Sequence, residues 1–191
     1  MLSRIITSTI LVAATVWLAH GLWSRFGSVR GIRGRLIAPT RGATGVAYMR
    51  ALTYLVATAC VAVLALTGFV PFVLSGAPLD GFALVLHVLA APVFAVSITL
   101  LILLWAHDQR FDATDRRGAS DTARKACFWL ILGLTPVILG SIMLMMYPVF
   151  ATPGQEVLRT IHFSSALAFL LLSMIHARLS VESPEEPGTV G

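Results

Sequence analysis

The chain has 191 residues, of which 57% are hydrophobic and only 12% are charged. A soluble domain carries about twice that charged fraction, so the composition indicates an integral membrane protein rather than a globular domain with a large core. The net charge of +5 does not indicate nucleic-acid binding, because the basic residues fall in a few segments between apolar stretches, as membrane topology requires.

Five apolar stretches are long enough to cross a bilayer. They predict spans at residues 5–23, 51–74, 82–106, 127–149 and 157–177. Their all-round apolar character excludes a transmembrane barrel, whose strands are short and alternate in polarity. We interpret the first stretch as an uncleaved span rather than a signal peptide, because WLAHG is a poor small-x-small cleavage site.

The basic residues are distributed asymmetrically between these spans. Segment 24–50 contains six arginines and no acidic residue, and segment 107–125 contains five more basic residues. With Arg178 these make twelve of the fourteen Lys and Arg residues on one side of the membrane. The positive-inside rule therefore predicts that the N-terminus lies outside and the C-terminus in the cytoplasm.

The two cysteines, Cys60 and Cys127, lie in or beside apolar runs and have no CxxC spacing. We interpret them as packing residues rather than as a disulfide or a metal-binding pair.

The fifth span carries a histidine near each end, His162 and His176. Fourteen residues correspond to about four helical turns less about 40°, so both imidazoles project from nearly the same face, roughly 21 Å apart along the axis. One histidine is then expected in each leaflet, where the helix could supply one axial ligand to each of two haems. For His162, and for His87 of the third span, the alternative is a buried histidine bonded to Ser or Thr hydroxyls across helices.

Each iron then requires a second ligand at matching depth. His87 lies near the periplasmic start of the third span, as His162 does in the fifth, so these two form the natural periplasmic pair. At the cytoplasmic end, His20 is the preferred partner of His176, although an interfacial position beside Trp23 explains it equally well. His107 cannot share a helix face with His87, and we interpret it as a solvated interfacial histidine.

Three stretches resemble a known family: YLVATACVAVLALTGF, LHVLAAPVFAVSITLLIL and RTIHFSSALAFLLLSMIH. They are similar to the four-helix cytochrome b subunits of formate dehydrogenase and nickel–iron hydrogenase and to related b561-like bacterial membrane anchors. The resemblance covers residues 50–178 and assigns haem-ligating roles to His87, His162 and His176. It implies an all-α integral membrane fold, with a four-helix cytochrome b bundle plus one extra N-terminal transmembrane helix.

The expected organisation follows from the resemblance and the spans. We expect an extra N-terminal transmembrane helix at 1–23, a basic cytoplasmic linker at 24–50, a four-helix haem-binding bundle at 51–178 and a flexible cytoplasmic tail at 179–191.

The chain departs from the family pattern at one position. The first core helix of the family begins with an arginine, two residues and then His-Trp, whereas here Arg50 is followed by Ala51, Leu52, Thr53 and Tyr54. Thr53 is not a credible haem ligand. The hypothesis is that His20 of the added helix replaces the missing ligand of His176; the alternative is that the second haem is absent.

The resemblance implies a membrane b-type cytochrome subunit that passes electrons between a periplasmic-side redox partner and the quinone pool, rather than an enzyme by itself. The expected cofactors are haem b, with two preferred and one possible, and quinone as a mobile substrate. The partners would be redox-complex subunits, such as an iron–sulfur or cytochrome c protein on the periplasmic side, together with membrane lipid. The expected location is the bacterial cytoplasmic membrane. The candidate quinone-binding residues are His107, Asp108, Arg110 and Arg50, for which ordinary loop charge is the alternative explanation.

Two further interpretations stay open. A mono-haem or haem-free anchor or assembly subunit of a respiratory or photosynthetic redox complex would be consistent with Thr53. A small transporter is disfavoured, because the spans contain no deep acidic residue and no inverted repeat.

Overall fold

The computed structural model describes residues 2–26, 45–74, 76, 79–107, 109–111, 119–147 and 150–182. These residues form five α-helices and no strand, which confirms the all-α expectation. The helices are α1 (Leu2–Phe26), α2 (Gly45–Leu74), α3 (Gly81–Trp105), α4 (Ala119–Met146) and α5 (Thr152–Glu182).

Four of these helices are long and apolar enough to cross a membrane, over Tyr48–Leu74, Gly81–Trp105, Ala119–Met146 and Thr152–Ser180. A helix satisfies its own backbone hydrogen bonds, which is what crossing hydrocarbon requires. The predicted multi-pass architecture is therefore confirmed. The extra N-terminal helix is also present as α1, in which Ile5–Val16 form an apolar stretch.

The main difference from the sequence prediction is the start of α4, which was expected at residue 127 but lies at Ala119. The first turns of this helix are polar, and Asp121 pairs there with Arg124 and, at 3.0 Å, with Lys125. A carboxylate near a helix N-terminus also interacts favourably with the helix dipole. Hydrophobicity alone missed these turns because ion pairs rather than apolar side chains stabilise them.

The chain divides into two compact units, each built on one pair of helices. The first unit comprises Met1–Val16 and Phe26–Asp108, and in it α2 packs against α3. The second comprises Trp17–Arg25 and Gln109–Gly191, and in it α4 packs against α5. Helix α1 therefore contributes to both units.

Small side chains are prominent among the buried residues of both helix pairs. The buried residues include Ala57, Thr53, Ser97 and Phe94 in the first unit, and Cys127, Thr135, Ser141, Ser165 and Phe169 in the second. Small residues allow helices to approach closely, and their hydroxyls can hydrogen-bond without a charge in the membrane. The buried positions of Cys60 and Cys127, both free thiols, agree with their interpretation as packing residues.

Candidate functional site

His87 of α3 is held by a hydroxyl of the neighbouring helix α2. Its Nδ1 lies 2.9 Å from Thr67 Oγ1, and the same oxygen lies 2.7 Å from the carbonyl oxygen of Val63. We assign the single hydroxyl proton of Thr67 to the Val63 carbonyl, the shorter contact, so that Thr67 Oγ1 accepts from the Nδ1–H of His87. The imidazole is therefore the tautomer whose lone pair is on Nε2.

Gly68, the residue after Thr67, leaves room for the imidazole of His87. A Cβ atom at Gly68 would lie 3.3 Å from His87 Cε1 and 3.7 Å from its Nδ1. The first distance is tighter than ordinary van der Waals contact, so any larger residue at position 68 would push the ring. Thr67 and Gly68 together thus fix the hydrogen bonding and the position of the His87 ring.

His162 of α5 is oriented by α4 in a similar way. Its Nδ1 lies 3.2 Å from the carbonyl oxygen of Ile138 and 3.1 Å from Ser141 Oγ. Ser141 Oγ lies 2.8 Å from the same carbonyl and donates its proton to it. Both oxygens therefore accept from Nδ1–H, and Nε2 again carries the lone pair.

His176, four turns further along α5, is oriented by backbone alone. Its Nδ1 donates to the carbonyl oxygen of Arg124 at 3.1 Å, and its ring lies 6.3 Å from that of Phe128. Because His162 and His176 both contact α4, they lie on one face of α5, as the fourteen-residue spacing predicts. Neither Nε2 has a hydrogen-bond partner among the described residues.

The three half-buried histidines therefore share one arrangement: Nδ1–H is bound by a neighbouring helix, and Nε2 carries the lone pair. This arrangement is typical of metal-ligating histidine, whose second nitrogen is fixed by an outer hydrogen bond. The described residues contain no group of three or more His, Cys, Asp or Glu side chains that could hold an ion by themselves. A histidine whose Nε2 carries the lone pair can serve as an axial ligand of haem.

The remaining predicted site residues differ in exposure and in their place along the chain. His20 is exposed on α1, and the end of α1 that carries it belongs to the same compact unit as His176. His107 and Arg110 follow α3 and are exposed, whereas Asp108 lies outside the described residues. Thr53, at the position where the family resemblance leads us to expect a histidine, is only 7% exposed.

Arg50 makes contacts at the end of α3. Its guanidinium donates to the carbonyl oxygen of Leu104 at 2.7 Å and lies 5.3 Å from the centre of the Trp105 ring. The last carbonyls of a helix lack intrahelical donors, and a cation is favourable there. Arg50 therefore joins the start of α2 to the end of α3, whatever else it binds.

Sequence reasoning found the histidines but missed the groups that orient them: Thr67, Ser141 and the carbonyls of Ile138 and Arg124. The Thr67–Gly68 dipeptide lies within YLVATACVAVLALTGF, one of the three stretches that carry the family resemblance. No spacing within one helix reveals a partner on another, so these contacts required the packing of each helix pair.

Together, the four apolar helices and the three imidazoles with Nδ1 bound to a neighbouring helix are features of a multi-pass membrane protein suited to haem. Residues 55–181 match the family model of prokaryotic cytochrome b561. This match covers well over half of the chain, which therefore belongs to that family. It is a membrane b-type cytochrome of electron transfer, located as a multi-pass protein in the bacterial inner membrane. The chain matches no curated protein and no solved structure.

The family match begins after Arg50 and Thr53 and leaves out α1. It contains His87, His162 and His176, the three histidines that share the Nε2 arrangement. His20 lies outside it.

Proposed function

We propose that this protein is the cytochrome b subunit of a redox complex and passes electrons across the bilayer between a periplasmic-side partner and the quinone pool. The observation that carries the proposal is the shared state of His87, His162 and His176, each with Nδ1–H committed to a neighbouring helix. Bound haem would supply a one-electron Fe(III)/Fe(II) couple.

The periplasmic-side haem would be ligated by His87 and His162. His87 lies near the start of α3 and His162 near the start of the apolar part of α5, which follows the polar residues Gln155 and Glu156. Under the predicted topology both positions lie in the periplasmic leaflet. Two imidazoles fill both axial positions, which favours electron transfer over oxygen chemistry.

The cytoplasmic-side haem would be ligated by His176 and His20. Two observations support this pairing over a mono-haem protein: His20 is exposed rather than packed, and its part of α1 belongs to the compact unit of His176. Thr53, which is buried and has no nitrogen, cannot fill this role.

Quinone would exchange electrons beside the cytoplasmic-side haem, taking up or releasing two electrons and two protons per turnover. His107 and Arg110 are exposed and can reach solvent protons, and Asp108 is the acidic candidate beside them. Arg50 is held by Leu104 and Trp105, so its contribution would be a fixed positive charge. An iron–sulfur or cytochrome c protein is the class of partner proposed on the periplasmic side.

The direct test is a reduced-minus-oxidised spectrum of the purified chain, with haem counted per protein. We expect a b-type α band, lost in part in His87→Ala and His162→Ala and unchanged in His107→Ala. A wild-type protein without any b-type band would contradict the proposal and favour the haem-free anchor suggested by Thr53.

The second test addresses the number of haems. We expect about two haems per chain, falling to about one in His20→Ala. A ratio of one that His20→Ala does not change would establish a mono-haem cytochrome and exclude His20 as a ligand.

A further inference from the structure

We propose that Thr67 and Gly68 are positioning residues for the haem: together they select the nitrogen of His87 that binds iron and set the redox potential of the iron. This inference rests on the proposed ligation by His87 and assigns a role to two residues that do not touch the metal.

The first step concerns the hydroxyl proton of Thr67. Thr67 Oγ1 lies within hydrogen-bonding distance of three groups: the carbonyls of Val63 at 2.7 Å and Leu64 at 3.3 Å, and His87 Nδ1 at 2.9 Å. We assign the one hydroxyl proton to the carbonyls of its own helix, of which Val63 is the closest of the three contacts. The oxygen then faces His87 purely as an acceptor, and only the Nδ1–H tautomer satisfies it.

The second step concerns space. A Cβ at position 68 would lie 3.3 Å from His87 Cε1, so the ring would have to move by a few tenths of an ångström, which alters its 2.9 Å contact with Thr67. Pro71, inside α2, removes the amide hydrogen that would otherwise bond the Thr67 carbonyl. One helical hydrogen bond of α2 is therefore missing at Thr67, the residue that contacts His87.

The third step is the effect on iron. A hydrogen bond from the outer nitrogen raises the basicity of the ligating nitrogen. A more basic imidazole stabilises ferric over ferrous iron, so the Thr67 contact holds the potential of this haem down. Removing the acceptor should raise the potential and weaken haem retention, by roughly tenfold to a hundredfold in affinity for outer-shell changes of this kind.

The chain offers a matched set of variants. Thr67→Val keeps the shape of the side chain and removes the hydroxyl, and Thr67→Ser keeps the hydroxyl. Thr58 lies on the same helix, is exposed, and makes the same backbone contact, to Tyr54 at 2.8 Å, without a histidine contact among the described residues. Thr58→Val therefore controls for loss of a helical Thr hydroxyl as such. Thr67→Ala supplies a second hydroxyl-free variant, with a smaller side chain, in case the valine impairs assembly.

The experiment is a redox titration of the purified variants, followed at the b-type band, together with haem content after dilution. We expect Thr67→Val or Thr67→Ala to raise the midpoint potential of one haem by about 59 mV for each tenfold loss of preference for ferric iron. Thr67→Ser should restore the wild-type value, and Thr58→Val should leave it unchanged. Gly68→Ala should lower haem retention and alter the ferric EPR signal, because the ring must move.

The possible failures are distinguishable. A wild-type chain without haem would overturn both the proposed function and this inference. If His87→Ala loses haem while both hydroxyl-free variants keep the wild-type potential and retention, the function stands and the role of Thr67 is overturned. A Gly68→Ala protein with wild-type retention and EPR signal would overturn the part assigned to Gly68.

Discussion

The two helix pairs hold their histidines by different means. In the pair α2 and α3, a side-chain hydroxyl from Thr67 binds the single imidazole of His87. In the pair α4 and α5, backbone carbonyls of Ile138 and Arg124 accept from two imidazoles, and Ser141 Oγ is a second acceptor for His162. A carbonyl is present at every residue, so the second arrangement tolerates substitution of its acceptors, whereas the first depends on one side chain.

The two helix pairs also differ in the number of candidate haem ligands that they carry. Helix α5 carries on one face two of the three imidazoles whose Nε2 holds the lone pair. The first pair carries one, and has Thr53 where the family resemblance leads us to expect another. Haem binding should therefore fail completely when α5 loses both histidines and only partly when the first pair is changed.

The largest expected effect is in α5. The double variant His162→Ala with His176→Ala should lose all haem, because it removes one axial ligand from each site. The haem-to-protein ratio of the purified variant measures this. Arg159→Ala, an exposed change on the same helix, is the control. A double variant that retained haem would show that α5 is not the shared ligand helix.

The next largest effect is the return of haem binding after a substitution in the first helix pair, α2 and α3. In a His20→Ala background, Thr53→His should return the second haem, because it places an imidazole where the family has one. The second haem should also keep its dependence on His176. Haem content of the double variant checks this, with Thr53→Val as the matched change that adds no nitrogen. A double variant that stays at the haem content of His20→Ala would contradict the assignment of position 53.

A smaller effect should distinguish hydroxyl from carbonyl acceptors. Ser141→Ala removes one acceptor from His162 Nδ1–H but leaves the Ile138 carbonyl at 3.2 Å. We therefore expect a smaller shift in midpoint potential than in Thr67→Val. Redox titration of the two variants side by side measures the difference. Equal shifts would show that the backbone acceptor does not compensate.

The smallest effect concerns stability rather than haem. Arg50→Met removes the contact with Leu104 and the stacking on Trp105, at a cost of roughly 1–3 kcal/mol. Thermal unfolding in detergent should show a lower midpoint, whereas Arg110→Met, at an exposed position, should leave it unchanged. An unchanged midpoint in Arg50→Met would show that these contacts contribute nothing measurable.

Much of the fold could be predicted from hydrophobicity alone. The spans beginning at 51 and 82 fall within a few residues of the apolar helices Tyr48–Leu74 and Gly81–Trp105. The prediction was poorest at α4, where Asp121, Arg124 and Lys125 form helical turns that no apolar window includes. The helix ends at Met146, and the next residue, Tyr147, precedes a proline and is disfavoured in a helix.

The candidate site was predictable only in part. Residues on one helix, such as His162 and His176, could be related by helical geometry. The partners Thr67 and Ser141 could not be identified in this way. A hydroxyl in an apolar span usually donates to the backbone of its own helix, as those of Thr58 and Thr99 do here. Ligation by His87, His162, His176 and His20 and quinone binding stay predictions, as do the domain boundaries.

The most direct test of haem ligation by His87 is the haem-to-protein ratio of His87→Ala compared with the wild-type chain. If His87 ligates the periplasmic-side haem, this substitution removes that haem and leaves the haem of His176 in place. The ratio then falls from about two to about one. A His87→Ala protein that kept the full wild-type haem content would contradict it.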